Sequence, residues 1–245
     1  MTTHVDLPPL IGLIVPPVAG NVPTDGPALY PNKARFIARG LGLGEISPTG
    51  FAAVIGSIVG KARELAAAGA QAISLMGTSL SFYQGADTNR KLAAAIGEST
   101  GLPATTMSNA VVRALKTTGV KRVALATAYI DDLNARLVAF LQAEGFEVSA
   151  VEGLAMTDVR GVGEVRPERL MSLAERVFQS DKSAQGVLIS CGGLLTLDIL
   201  APLERRLGVP VVSSSPAGFW DVVQRAGIDP RVPRYGRLFT MSNLG

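Results

Sequence analysis

The chain has 245 residues, 47% of them hydrophobic, enough to bury one large core or two smaller ones. Its net charge is only +3, carried by scattered Lys and Arg with few aromatics beside them, which excludes a nucleic-acid-binding face. One cysteine and one histidine exclude an internal disulfide, a multi-cysteine metal site and a His-dependent triad; His4 is expected to be solvated in a polar tail.

Short apolar runs alternate with longer amphipathic stretches, the pattern of mostly parallel sheets with covering helices. Ile11-Gly-Leu-Ile-Val15 reads as a buried strand stopped by Pro16-Pro17. Residues 49–68 read as a helix ended by Gly69. Residues 72–76 form a second strand opening into Gly77-Thr78-Ser79, residues 89–99 a helix, and residues 102–107 a further strand. Residues 123–127 then read as a strand leading into Ala128-Tyr129, followed by a helix over 132–144 and a strand over 146–151. Residues 167–179 are helical, and residues 187–190 form a strand opening into Cys191-Gly192-Gly193. A helix near 202–207, a strand over 209–212 and a helix over 218–226 complete the series.

The second series repeats the first. Ala72-Ile-Ser-Leu-Met-Gly77-Thr-Ser-Leu80 aligns with Gly186-Val-Leu-Ile-Ser-Cys191-Gly-Gly-Leu194, and Thr100-Gly-Leu-Pro103 with Leu207-Gly-Val-Pro210. The repeat predicts two similar Rossmann-like α/β/α lobes, related by a pseudo-twofold axis, with the site in the cleft between them. Residues 1–117 are expected to form the first lobe and 118–225 the second, with 226–245 returning to the first. Ligands in open α/β sheets bind beyond the carboxyl ends of strands. Four strand-end loops should therefore converge: Pro16-Pro17, 77–79, Ala128-Tyr129 and 191–193.

Within those loops Cys191 is the sharpest signal, because it ends an apolar strand and precedes two glycines whose N–H groups can face an anion. A lone cysteine is otherwise a small buried hydrophobe. Thr78 and Ser79 suit a helix cap as well as carboxylate binding, and Tyr129 suits a buried structural role as well as donation into the cleft. Asp131-Asp132 reads as an N-cap with a first-turn acid. Gly40-Leu-Gly42-Leu-Gly44 lacks the strand and spacing of a dinucleotide fingerprint. Leu41, Leu43, Ile46 and Phe51 suit either a pocket or the core, and Trp220 suits the core.

Ile14-Val-Pro-Pro17, Ser74-Leu-Met-Gly-Thr-Ser-Leu-Ser-Phe-Tyr83, Ala124-Leu-Ala-Thr-Ala-Tyr-Ile-Asp-Asp132, Ser190-Cys-Gly-Gly-Leu-Leu-Thr-Leu-Asp198 and Val211-Val-Ser-Ser-Ser-Pro-Ala-Gly-Phe-Trp220 carry a resemblance over nearly the whole chain. These segments closely resemble the bacterial arylmalonate decarboxylases, a family of the aspartate/glutamate/hydantoin racemase superfamily. Racemases of that superfamily flank the substrate with two cysteines, one from each lobe. Here the first-lobe position is Gly77, which leaves Cys191 alone and disfavours two-base racemisation. Phe51 stands where the family carries a tyrosine, a change that touches no expected donor.

The resemblance implies cofactor-independent, metal-free decarboxylation of a small dicarboxylate, an α-aryl or alkenyl malonate. The retained carboxylate becomes an enediolate held by Thr78, Ser79, Tyr129 and N–H groups at Cys191 and Gly192, with Gly77, Pro16 and Pro17 bordering the substrate. The family's apolar pocket maps onto Pro16, Leu43, Ile46, Val159 and Val162, and Cys191 supplies the proton to one face. A single-cysteine racemase or isomerase of the same superfamily is the nearest alternative, and a non-catalytic small-carboxylate binding protein is a different class. The amino end lacks the layout of a signal peptide and no apolar run is of membrane-spanning length, so a cytoplasmic monomer without membrane or nucleic-acid partners is expected.

Overall fold

The computed structural model describes residues 7–242, and His4 lies outside the described residues. Two four-stranded, all-parallel sheets form its frame, with flanking helices. The first contains β1 (Leu10–Val15), β2 (Arg35–Gly40), β3 (Ala72–Leu75) and β4 (Ala104–Thr106), in the order β2-β1-β3-β4. The second contains β5 (Arg122–Thr127), β6 (Glu147–Gly153), β7 (Gly186–Ser190) and β8 (Val211–Ser213), in the order β6-β5-β7-β8. The two orders are the same permutation, so the sequence repeat is a repeat of topology.

The central strands are short continuous apolar runs because both faces of a parallel sheet are covered. Ile11, Leu13 and Ile14 of β1, Val123 to Ala126 of β5 and Val187 to Ile189 of β7 are fully buried. In register, Ile11 stands beside Phe36 and Ala72, and Val123 beside Val148 and Gly186. The edge strand β2 was not legible in the sequence, since Arg35 and Arg39 break its apolar run and its residues are only partly buried.

In the first lobe the helices are α1 (Asp25–Leu29), α2 (Pro48–Val54), α3 (Ile58–Ala67), α4 (Thr78–Phe82), α5 (Ala86–Thr100) and α6 (Met107–Thr117). The single helix expected over 49–68 is two segments joined by a 3₁₀ turn over Ile55–Ser57, where Ser57 Oγ bonds the Val54 carbonyl at 2.8 Å. The strand expected to reach 107 stops at Thr106. That residue instead caps α6, its Oγ1 accepting the Asn109 N–H at 3.1 Å.

After β5 come α7 (Asp131–Ala143), α8 (Pro167–Ser180), α9 (Leu197–Leu207) and α10 (Ser214–Arg225). Ile130, not Asp131, holds the N-cap of α7, and both acids lie in the first turn, where Asp132 pairs with Arg136. Helix α9 starts five residues before Pro202, so the proline sits inside it rather than at its start.

Helices α6 and α10 pack against each other across the two sheets, and α10 also covers β3 and β4 of the first sheet. Asp221 of α10, 3% exposed, is clamped by Arg113 of α6 and accepts from Thr105 Oγ1 at 2.7 Å. A buried carboxylate is tolerated because this clamp pairs and hydrogen-bonds it. Trp220 is fully buried, and its indole N–H donates to the Met241 carbonyl. The segment after α10 bonds to both lobes, through Tyr30 Oη to the Pro230 carbonyl and through the Arg237 N–H to Glu204. Among the described residues, no helix is long and apolar enough to cross a membrane.

Candidate active site

A cavity of about 470 Å³ opens at the carboxyl ends of β1, β3, β7 and β8, a size within the range of small-molecule sites. Its walls include Pro16, Pro17, Leu43, Ile46, Gly77, Thr78, Ser79, Val159, Val162, Cys191 and Gly192. Of the four loops expected to converge, Ala128-Tyr129 does not border this cavity; Tyr129 stands behind the wall, 1% exposed. Its phenol lies 3.3 Å from Ser190 Oγ, and Thr78, Ser79 and Cys191 are among the polar groups that act on it. It thus bridges the two lobes at the base of the cleft.

Local packing fixes the first-lobe donors. Thr78 and Ser79 begin α4, whose start is held by Ser81 and Ser108. Ser81 Oγ lies 2.8 Å from the Gly77 carbonyl and 2.7 Å from Ser108 Oγ, and Ser108 Oγ lies 3.0 Å from the Thr78 carbonyl. The Thr78 hydroxyl donates to the Met107 sulfur at 2.9 Å. Sulfur is a weak acceptor, so transferring that hydroxyl to a negative oxygen costs little.

The second-lobe loop differs from its expected form. Neither Gly192 nor Gly193 has a positive φ; close packing is what requires them to be glycine. A Cβ on Gly192 would meet the Met107 sulfur at 2.8 Å, and one on Gly193 would meet Val162 at 3.1 Å. The Gly193 N–H is directed at the Cys191 sulfur, whereas the Gly192 N–H has no acceptor among the described residues.

Cys191 is a free thiol, 7% exposed, and borders the cavity. Burial pushes its pKa up to about 11, against the smaller opposing pull of the Gly193 N–H and the Tyr129 hydroxyl. The loop 192–196 separates it from the start of α9, so no helix N-terminus acts on it directly. The thiol therefore holds its proton at neutral pH. Burial also raises the Tyr129 pKa, keeping its phenol a neutral donor.

Sequence reasoning passed over Asp25, Ser215, Met76 and Leu195, which also border the cavity. Asp25 opens the five-residue helix α1 between β1 and β2, too short for any periodicity to mark it. The polar triplet 213–215 at the end of β8 was the available signal for Ser215. Phe51 is buried against Tyr83, with ring centroids 4.9 Å apart, and does not border the cavity. Among the described residues, no group of three or more His, Cys, Asp or Glu side chains gathers as a metal site.

Comparison with known proteins places this geometry. The family model described as arylmalonate decarboxylase matches residues 11–239. The arylmalonate decarboxylase of Bordetella bronchiseptica is 55% identical over 235 residues, covering 96% of this chain and 98% of that protein. A maleate isomerase of Nocardia farcinica is 30% identical over 237 residues, covering 93% and 94% respectively. A doubly substituted arylmalonate decarboxylase, solved in a liganded form, superposes with a TM-score of 0.93 at 54% identity, over 96% of this chain and 100% of that one. With a family model spanning nearly its full length and a relative sharing more than half its residues, the chain is an enzyme of the arylmalonate decarboxylase family.

Proposed function

We propose that this enzyme removes one carboxylate of an α-aryl or alkenyl malonate as CO₂ and protonates the remaining carbanion from Cys191, using no cofactor. One observation carries the reading: a single protonated thiol from one lobe and the hydroxyls of Thr78 and Ser79 from the other border the same cavity. The reaction class agrees with the names of the family and of its Bordetella relative.

In this mechanism the retained carboxylate accepts hydrogen bonds from Thr78, Ser79, Tyr129 and backbone N–H groups at Cys191 and Gly192. The other carboxylate lies against Pro16, Leu43, Ile46, Val159 and Val162, where apolar walls replace its hydration and favour neutral CO₂. The C–C bond breaks and its electron pair stays on the α-carbon, spreading into the retained carboxylate as an enediolate and into the aryl ring. Fixed donors aimed at those oxygens stabilise the transition state without having to reorganise. Pro17 and Gly77 border the substrate, and Gly77 brings no acid to that face. The Cys191 S–H then gives its proton to the α-carbon, and the thiolate left behind regains one from solvent.

A cysteine that adds to its substrate, as an isomerase of this superfamily would require, must react as a thiolate. Burial of Cys191 works against that form, so the acid role is preferred. The test is methyl(phenyl)malonate with chelator-treated enzyme. Release of CO₂ with 2-phenylpropionate of a single handedness is expected; absence of CO₂, or a racemic product, overturns the reading.

A further inference from the structure

Ser108 and Ser215 occupy the same place in the two lobes, each being the second residue of the helix that follows the last strand of its sheet. Ser108 is fully engaged by Ser81 and the Thr78 carbonyl. In the second lobe the residue aligned with Ser81 is Leu195, which offers no polar partner. Ser215 Oγ is left without a hydrogen bond of regular geometry among the described residues, although the residue is only 1% exposed. It borders the cavity.

Asp25 borders the same cavity and is 6% exposed. Ser215 is its only hydrogen-bonding neighbour among the described residues, and the one charged group acting on it is Asp198, another acid. No cation faces it there, and burial raises its pKa. Its position is fixed by tight packing, because a Cβ on the next residue, Gly26, would lie 2.2 Å from the Phe219 ring of α10. Asp25 and Ser215 thus have only each other, and both residues border a substrate-sized cavity, so the carboxyl keeps acceptor capacity that a ligand can use.

We propose that Asp25 and Ser215 form a recognition subsite for a hydrogen-bond donor, a hydroxyl or an N–H, carried on the substrate's α-substituent. The proposal rests on the carboxy-lyase reading above and narrows its substrate class. An acid without a cation repels a second carboxylate, so the malonate head is directed to Thr78 and Ser79 and the α-substituent to Asp25. A plain phenyl ring offers Asp25 and Ser215 no further hydrogen bond, whereas a ring bearing a hydroxyl donates one to them.

The experiment compares phenylmalonate with 3- and 4-hydroxyphenylmalonate in the parent enzyme and in Asp25→Asn and Ser215→Ala, reading kcat/KM for each. The parent is expected to favour one hydroxylated substrate over phenylmalonate by about tenfold, and each variant to lose most of that preference. An equal preference in parent and variants, or none in the parent, overturns the subsite while leaving the decarboxylase reading intact. If phenylmalonate itself releases no CO₂, the function reading fails. The subsite is then judged by calorimetric binding of 2-(hydroxyphenyl)propionates against 2-phenylpropionate, with the same loss of preference in the variants expected. Should either variant fail to fold, the other, together with the parent's own preference, decides the matter.

Discussion

Two loops that correspond in the repeat, 77–79 in the first lobe and 191–193 in the second, reach the same cavity with different chemistry. The first brings Gly77 and two hydroxyls; the second brings a thiol and two glycines. Topology alone would allow an acid on each side of a bound carbanion. Placing two side-chain hydroxyls in one loop and a lone acid in the other instead suits a reaction that needs charge held at one end and a proton delivered to one face. The largest expected effect comes from deleting the acid. Cys191→Ala should lower CO₂ release from phenylmalonate by about a thousandfold, the scale of a lost general acid. Turnover within tenfold of the parent would dissolve the contrast between the loops.

The donor side comes next. Thr78→Ala should reduce kcat by about a hundredfold with little change in KM, because its hydroxyl pairs most strongly with charge that develops in the transition state. An effect confined to KM would make Thr78 a ground-state binder only. Gly77→Cys makes the two loops chemically alike. Its Cβ meets Leu80 at 3.2 Å and Pro16 at 3.3 Å, so decarboxylation should fall by about tenfold from crowding. Exchange and racemisation of enantiopure 2-phenylpropionate in deuterated water should appear in return. A product that keeps its handedness would mean that the two loops do not face one α-carbon.

The smallest expected effect is on pH. In the proposed mechanism the active form of Cys191 is the protonated one, and its folded-state pKa is raised to about 11. Activity limited by this group is therefore fully present at neutral pH and is lost only as pH rises through about 11. A rate profile for phenylmalonate should stay within about twofold between pH 7 and 9.5. An alkaline limb near 9, the ordinary thiol value, would place the sulfur in a more hydrated setting.

Much of this arrangement was legible in the chain because buried parallel strands are short apolar runs and the loops after them are the sites. Cys191, Gly77, Thr78 and Ser79 could be paired across the repeat for that reason. Features without such a pattern escaped. Strand β2 carries two arginines on an edge, α6 follows a three-residue strand without a break, and α9 runs through a proline. Asp25 escaped because its burial is imposed by α10, almost two hundred positions away in sequence. Ser215 was visible only as one of three serines, and which of them would open on the cavity depends on side-chain packing that no spacing rule encodes.

A largely buried sulfur that keeps its hydrogen is a poor target for peroxide and for haloacetamides, since both attack the ionised form. The burial that suits Cys191 to donate a proton should also let the enzyme work in air without added reductant. It sets Cys191 apart from the exposed, ionised cysteines that serve elsewhere as oxidation sensors.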